Sequence, residues 1–435
     1  MNTDGKIPPA PDEKSDSRVW PVATVMATGI FATTFVQLQG LGYVPFNHLL
    51  KKTMGLDSDK AATFMSLSIL PWTFKAVAGL LVDSVPLLGS RRRTYLLLSA
   101  LVASAFWLAM GLVPRNYNVL LGLVLGMNMA IVFGSATAGG LLVEAGQRFG
   151  ASGRLSALRV FAQTFGNGVG LWLGGLLAGY ALGWTSAAAM LPLLFMFFVT
   201  WFLQREPVAP VRVDLETSNF PAGQRLNVFL SIWLQIKNVL RREMLLPALL
   251  IFFIQAVPTF RSTSFYAYQT DQLHYTDAAF GWLQSIGCYV SLLSTAIYAW
   301  WCRMVSLRIS LYGAILITSL SALPYLFYAP YPEYMPRAMA IESIGTFLVY
   351  AAYLPLMDMA VRSTPKGSEA LGYSLFISVW NIGLMIGTKT GPMLYERVFS
   401  RHMNSLIWLN AGVTLAGIFL VFVLPKKLVE RREGN

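Results

Sequence analysis

The stretch from Leu70 to Leu96 reads LPWTFKAVAGLLVDSVPLLGSRRRTYL, and it decides the fold. An apolar run ends at Asp83, a short turn with Pro86 and Gly89 follows, and the arginines 91–93 precede the next apolar run. Two membrane helices joined by a tight loop on the inner side have this pattern, because Lys and Arg gather in inner loops. The stretch therefore predicts a helical protein that crosses a membrane more than once.

The composition of the whole chain supports the same class. Of its 435 residues, 55% are hydrophobic and only 12% are charged, whereas a soluble domain carries about 25% charged residues. Disordered chains have the opposite composition. The net charge of +12 is explained by basic loops at a membrane surface, so we expect no nucleic-acid partner.

Apolar segments long enough to cross a bilayer recur along the chain. A crossing helix needs about 20 mostly apolar residues, and backbone groups in lipid must bond within their own helix. We predict twelve transmembrane helices, at 19–43, 61–83, 94–113, 117–144, 155–180, 184–203, 244–270, 276–301, 309–329, 335–361, 371–395 and 402–425. Prolines inside several of them, such as Pro71 and Pro258, predict kinks.

The basic residues predict the orientation and the division of the chain. With the N-terminus inside, the inner segments hold roughly three times as many Lys and Arg residues as the outer loops. Both termini are therefore expected to be cytoplasmic. The expected units are a disordered tail 1–18, a six-helix bundle 19–203, a linker 204–243 with an amphipathic helix over 225–242, a second six-helix bundle 244–425 and a tail 426–435.

This layout, two six-helix halves joined by a long inner loop, resembles the major facilitator superfamily. A finer pattern resembles the folate–biopterin transporter family, to which muropeptide permeases and acetyl-CoA transporters are more distantly related. It consists of Pro71, Trp72, Lys75, Gly79, Asp83, Pro86, Gly89, Arg92, Arg93 and Tyr95. The resemblance implies a secondary carrier for a folate or a pterin, in the inner membrane if the source is a bacterium.

One stretch departs from the family pattern. In these families the fourth segment usually carries two acidic residues four apart, shortly before a Val-Glu pair. The pair is present here as Val143 and Glu144, but Ser135 and Gly139 stand at the acidic positions. The departure weakens the case for family-like proton coupling and for a pterin substrate.

Charged and polar residues within apolar segments are candidates for substrate binding, because burying them in lipid is costly without a partner or a wet cavity. Arg261 and Lys389 are expected to attract an anionic substrate, although an ion pair with a purely structural role is an equal alternative. Lys75 either contacts substrate or extends toward the cytoplasmic surface. Asn128, Gln163 and Gln255 bond either a ligand or a neighbouring helix.

A second set of charged residues predicts gating. Arg91, Arg92 and Arg93, in the basic loop after Asp83, are expected to face anionic lipid headgroups. Asp83 can pair with a neighbouring cation at its helix end, and this charge latch can hold the two halves together in one state. Glu144, Arg148, Arg154 and Arg159 surround another inner loop, and Asp358 with Arg362 shares a helix face in the second half. Glu342 is a pairing or proton-accepting partner for the cations of the second half.

The function predicted from these features is secondary active transport of a small organic anion by alternating access. The expected partners are the lipid bilayer and the solute, and coupling to protons is left open. A muropeptide, siderophore or drug permease of the same fold is the first alternative. A transporter-like sensor or assembly factor that does not transport is the second. The three histidines lie in separate segments, and no phosphate-binding loop or metal-ligand motif occurs, so we expect no enzymatic activity, cofactor or metal.

Overall fold

The protein is a bundle of long helices. The computed structural model describes residues 13–56, 64–65, 67–204, 228–261, 265, 268–275, 277–328, 330 and 334–430. In the N-terminal half the helices are α1 (Glu13–Phe35), α2 (Tyr43–His48), α3 (Leu70–Thr73), α4 (Lys75–Ser84), α5 (Arg93–Leu112), α6 (Tyr117–Arg148), α7 (Ser152–Leu177) and α8 (Leu182–Leu203). A π-helical turn, Leu49–Thr53, follows α2.

The C-terminal half repeats the pattern of long helices after a surface helix. Its helices are α9 (Val228–Val239), α10 (Arg242–Ala256), α11 (Asp277–Met304), α12 (Leu307–Ser321), α13 (Met335–Ser363), α14 (Glu369–Arg397), α15 (Met403–Ala416), α16 (Ile418–Val423) and α17 (Lys426–Val429). A π-helical turn, Tyr268–Gln272, precedes α11, and a 3₁₀ turn, Leu323–Phe327, follows α12.

Seven helical stretches of the described chain are long and apolar enough to cross a membrane. They correspond to predicted segments three, four, six and nine to twelve, and most helix ends lie within a few residues of the predicted ones. Predicted segment two is interrupted at Phe74, between α3 and α4, and residues 61–63 and 66 of that segment lie outside the described residues.

Two segments that the sequence predicts as single helices are broken. The first ends at Phe35 and resumes at Tyr43, after an irregular turn that contains Gly40 and Gly42. The seventh ends at Ala256 because Pro258 cannot continue the backbone ladder. In both halves, therefore, the first helix is interrupted before its predicted end.

The ends of the chain differ from the expectation in one place. Residues 13–18, which the sequence assigns to a disordered tail, already belong to α1. The predicted amphipathic helix is present as α9, although residues 225–227 lie outside the described part of the chain.

The two halves meet along a few helices. Within the first half α5 packs on α6 and α8, and within the second α13 packs on α11 and α12. Across the halves, α14 packs on α4 and α6, and α7 packs on α11 and α13. We call the end of the bundle that carries Arg91, Arg148, Arg362 and Lys366 the basic end.

Candidate functional site

A tight turn between α4 and α5 brings the arginines that follow it back toward the end of α4. The backbone N–H groups of Leu87 and Ser90 each donate to the other's carbonyl, at 3.0 and 2.9 Å. Leu88 and Gly89 both have positive φ, 50° and 76°, which two-residue reversals with the twist of a hairpin require. Glycine adopts this conformation without strain, which gives Gly89 its role in the turn.

Four charged groups from both halves form one cluster behind this turn. The Asp83 carboxylate, fully buried, lies 2.8 Å from Nη1 of Arg92 and 3.1 Å from Nη2 of Arg91. Glu369, at the start of α14, lies 3.1 Å from Nη2 of both arginines. The cluster extends to the backbone, because Asp83 accepts the N–H of Leu371 at 2.7 Å and Arg91 donates to the carbonyl of Gly367 at 2.7 Å.

Burial by itself would lower the pKa of Arg92, but the carboxylates of Asp83, Glu369 and Glu144 raise it above its ordinary value. Arg92 therefore remains charged inside the cluster, although the sequence predicted that it would face lipid headgroups. Two carboxylates and two guanidinium groups then balance at the centre of the cluster. Removing one partner of such a buried pair is far more destabilising than the pair is stabilising.

The other predicted gating residues lie around this cluster. Glu144 is half exposed and reaches Nε of Arg92 only at 3.9 Å. Arg93 donates to the carbonyl of Trp201 at 3.1 Å and lies over its ring, within its own half. Arg148 is exposed and lies over the ring of Phe149.

A second junction joins the halves at the same end. Arg362 forms an i, i+4 ion pair with the buried Asp358, at 2.8 Å, and donates from Nε to the Ser152 hydroxyl of the other half at 3.0 Å. Tyr298 donates to the same carboxylate at 3.0 Å. Gln147 donates to the carbonyls of Val361 and Thr364, at 2.9 and 2.6 Å.

Glycines let the helices approach closely beside these junctions. A Cβ atom on Gly79 would lie 2.5 Å from the carbonyl oxygen of Ala370, and one on Gly146 would lie 2.9 Å from Val361. At the basic end, α4 thus approaches the backbone of α14, and α6 approaches the Val361 side chain of α13. The halves are therefore locked together at the basic end.

Two buried cations lie deeper in the bundle. Lys75, 3% exposed, donates from Nζ to the Ser135 hydroxyl at 2.9 Å and lies over the Trp72 ring. Arg159, 5% exposed, donates to the Tyr353 hydroxyl at 3.2 Å and lies over the Tyr373 ring. Neither forms an ion pair with a carboxylate of the residues that the structure describes.

The Tyr373 ring connects the surroundings of these two cations. It packs against Gly139, where a Cβ atom would lie 2.8 Å from the ring, and Gly139 is one helical turn from Ser135. An acidic side chain at 139, as the family pattern has it, would collide with this ring. At 1.5 Å of helix per residue, Lys75 lies about 12 Å along α4 from Asp83, which places it well inside the bundle.

A third cluster, in the second half, contains Arg261. Its Nη2 atom lies 3.1 Å from Oε2 of the buried Glu342 and 3.1 Å from the Thr346 hydroxyl. The Tyr325 and Tyr328 hydroxyls donate to the same carboxylate at 2.9 and 3.3 Å. Arg261 thus has a carboxylate partner within its own half, in contrast to Lys75 and Arg159.

The remaining predicted substrate residues are dispersed. Asn128 is buried and accepts a hydrogen bond from the Trp72 indole at 3.1 Å, which places it beside Lys75. Gln255 is half-buried and packs against Gly383. Gln163 and Lys389 are exposed, and Lys389 is in none of the ion pairs formed by the described residues.

Sequence reasoning missed Glu369, Tyr353 and Tyr373. Glu369 lies in the first turn of α14, where an acidic residue is common in any helix, so its position alone gave no signal of a long-range partner. The two tyrosines lie within apolar segments among many aromatic residues. Their contacts with Arg159, which the sequence assigned to the gate, depend on how α7 crosses α13 and α14.

The protein has the fold of the major facilitator transporters, a class of secondary carriers. It superposes on the proton:xylose symporter XylE with a TM-score of 0.68 at 13% identity, covering 96% of this chain and 98% of that one. It also superposes on the human organic anion transporter MFSD10 with a TM-score of 0.65 at 14% identity, covering 93% and 99%.

Within that class, residues 38–435 match the BT1 family, and the chain belongs to it. It is similar to a folate-biopterin transporter of a Synechocystis species, 28% identical over 84% of this chain and 74% of that protein. It is also similar to folate transporter 1 of Plasmodium falciparum, 22% identical over 87% of this chain and 75% of that protein. The protein is therefore a multi-pass membrane transporter of a small organic solute.

Proposed function

We propose that the solute is a folate, a pterin or a chemically similar organic anion, and that it binds between the halves at Lys75 and Arg159. The observation that carries the proposal is the burial of these two cations without a carboxylate partner among the described residues. A charge buried in a membrane protein is costly unless it is paired or serves a ligand. An anionic solute supplies the missing partner to both.

The surroundings suit a flat, polar solute. Trp72 lies beside Lys75, and Tyr353 packs edge-on against Trp380 with ring centroids 4.8 Å apart. Aromatic faces bind planar rings by offset stacking. Solute sites of secondary carriers lie near the middle of the membrane, often beside interrupted helices, and α3 and α4 are interrupted immediately before Lys75. The named relatives transport folates and biopterin, which supports this solute class.

We further propose that the basic end faces the cytoplasm of the cell and that both termini lie there, in the inner membrane if the source is a bacterium. The described arrangement is then the state closed to the cytoplasm, held by the Asp83 cluster and by the Arg362 junction. Breaking both opens the solute site to the cytoplasm, which completes alternating access. The boundaries 19–203 and 244–425 remain the proposed two rocking units.

Proton coupling stays a proposal as well. The candidates from the sequence are Glu144, half exposed at the basic end, and Glu342, buried beside Arg261. Uptake into sealed vesicles with and without a pH gradient tests it. If coupling uses Glu144, then Glu144→Gln should remove the dependence on the gradient while Glu342→Gln keeps it.

The deciding experiment measures the melting temperature of the purified protein with folates, pterins, muropeptides, siderophores and neutral analogues. A ligand that binds only the folded state raises the melting temperature. We expect folates or pterins to raise it, and Lys75→Gln or Arg159→Gln to remove the shift. Lys389→Gln and Arg261→Gln test the cations that the sequence favoured.

Two outcomes would contradict the proposal. A shift with muropeptides or siderophores alone would replace the solute class and leave the fold. A shift with folate that survives Lys75→Gln and Arg159→Gln, but not Arg261→Gln, would move the site into the second half. If no solute raises the melting temperature and none crosses sealed vesicles, the chain is a transporter-like protein with another role.

A further inference from the structure

A cavity of about 560 Å³ opens at the basic end, away from Lys75 and Arg159. Four parts of the chain line it: the turn between α6 and α7, the end of the linker, the turn between α13 and α14, and the start of α17. Its size is that of a site for a small molecule or a lipid headgroup. The solute proposal leaves this cavity unused.

The charge of the cavity is positive. Arg241, Lys366 and Lys427 line it, all three are exposed, and none forms an ion pair with the residues that the structure describes. Glu243 is the one acidic residue among the described residues that line it. Arg362 also lines the cavity, but its charge is balanced by Asp358. The excess charge therefore comes from three cations that converge from separate parts of the chain.

We propose that this cavity binds a phosphate-bearing anion, either the headgroup of an anionic lipid or a soluble phosphate compound. Phosphate presents oxygens in several directions, so cations that approach from different elements can bind it together. The neighbouring helix α9, whose Asn238 lines the cavity, is strongly amphipathic; Trp233 is exposed on it, and Leu240 is exposed directly after its end. Such helices lie at the headgroup level of a membrane, which brings the cavity to the lipid phosphates.

The position of the cavity gives the ligand a regulatory effect. Gln147 and Ser152 from the first half and Lys366 from the second line the same space. A ligand that contacts both halves binds the closed arrangement more tightly than an arrangement in which the halves are separated. Such a ligand therefore stabilises closure. Phosphate binding at the basic end should therefore hold the carrier closed at that end.

The chain offers matched controls for the cations. Arg242 follows Arg241, and Lys426 precedes Lys427; both neighbours are exposed, and neither lines the cavity. The test variant Arg241→Gln with Lys427→Gln and the control variant Arg242→Gln with Lys426→Gln therefore remove the same charge from the same two elements. For a single substitution, Lys366→Gln is compared with Arg303→Gln, an exposed arginine at the basic end that does not line the cavity.

The native residue Cys302 can report whether the basic end is closed. It is 2% exposed and packs with Ala157 and Val160 of the other half. After Cys288→Ser, Cys302 is the one remaining thiol of the chain. Its rate of alkylation by a maleimide then measures how often the basic end opens.

The experiment uses the full chain in nanodiscs of phosphatidylcholine, with or without added phosphatidylglycerol, and in neutral nanodiscs with inorganic phosphate or with chloride at the same ionic strength. We expect phosphatidylglycerol or phosphate, but not chloride, to raise the melting temperature and to slow the alkylation of Cys302. A response to phosphatidylglycerol alone identifies a lipid headgroup, and a response to inorganic phosphate identifies a soluble ligand.

Each lost cation should weaken binding about fivefold, so the test variants lose the response and the controls keep it. Equal responses in test and control variants, an equal effect of chloride, or no response in any arm would overturn the proposal. None of these outcomes depends on the transported solute.

Discussion

The Nη2 atom of Arg92 lies 3.1 Å from Oε2 of Glu369, a residue of the other half. Arg92 is 1% exposed, and the same guanidinium group contacts Asp83 at 2.8 Å. One buried cation, Arg92, therefore joins a carboxylate of the first half to a carboxylate of the second half. Because the basic loop and α14 belong to different halves, this contact exists only while the basic end is closed.

Glu369→Gln should open the basic end. The substitution leaves Asp83 facing two guanidinium groups and removes one partner of a buried pair, which costs about 3 kcal/mol. We expect the cost to fall on the closed arrangement, and we expect faster alkylation of Cys302 in a Cys288→Ser chain. Glu396→Gln, an exposed glutamate near the other end of the same helix, is the control. Unchanged alkylation in Glu369→Gln would show that the cluster does not hold the gate.

Gly79→Ala tests the same closure by sterics rather than by charge. The new Cβ atom would lie 2.5 Å from the carbonyl oxygen of Ala370, a backbone atom that cannot move aside without moving α14. Overpacking of this kind costs about 1–3 kcal/mol, and relief requires the halves to separate. The variant should therefore also alkylate faster at Cys302.

The control for this prediction is Gly122→Ala, because a Cβ atom at Gly122 meets nothing within 4 Å. In a helix interior that exchange stabilises by about 1 kcal/mol. We expect a higher melting temperature and unchanged alkylation. If Gly79→Ala behaves in the same way as Gly122→Ala, the contact between α4 and α14 does not limit closure.

The sequence predicts much of this architecture because the membrane constrains it strongly. The long apolar runs had to be helices, and the apolar stretches that became α5, α6 and α13 have nearly their predicted ends. The basic turn after Asp83 likewise follows from local residues, since Gly89 supplies a positive φ. These features depend on neighbours in sequence and on the bilayer.

The features that could not be predicted from the sequence are contacts between distant segments. Arg92 looks like a headgroup contact until α14 brings Glu369 to it. Arg159 looks like a member of the gate until Tyr353 and Tyr373 lie beside it. For Arg261 the sequence left a substrate contact and an ion pair open, with Glu342 as a candidate partner, and helix packing brings these two residues together across 81 positions. In each case the residue type was informative, and its partner was set by helix packing alone.

Substitution of Arg261 distinguishes a structural ion pair from a substrate contact. Arg261→Met leaves the buried Glu342 with two tyrosine hydroxyls and no cation among its described neighbours, which should lower the stability by about 3 kcal/mol. Combining it with Glu342→Gln removes both charges and should restore most of that loss. We expect thermal unfolding to show this pattern, with solute binding kept in the double variant. Normal stability of Arg261→Met with lost solute binding would instead make Arg261 a binding residue.

Ser135→Asp should weaken binding of the anionic solute strongly while the protein stays folded. The Ser135 hydroxyl lies 2.9 Å from Nζ of Lys75, so a carboxylate at this position reaches the lysine and supplies a counter-ion that the described residues do not provide. The charge that we assign to the solute is then neutralised, and a lost charge-assisted contact weakens binding by tenfold or more, about 1.5–3 kcal/mol. The melting temperature of the solute-free protein should rise, because the buried cation gains a partner. Ser135→Asn, of nearly the same size but uncharged, should keep solute binding within a few-fold.

Solute-dependent melting of the three proteins checks the prediction. If the aspartate and asparagine variants bind equally well, Lys75 does not contact the solute. If both fail to bind, the effect is one of size, and Arg159→Gln decides whether a cation between the halves serves the solute.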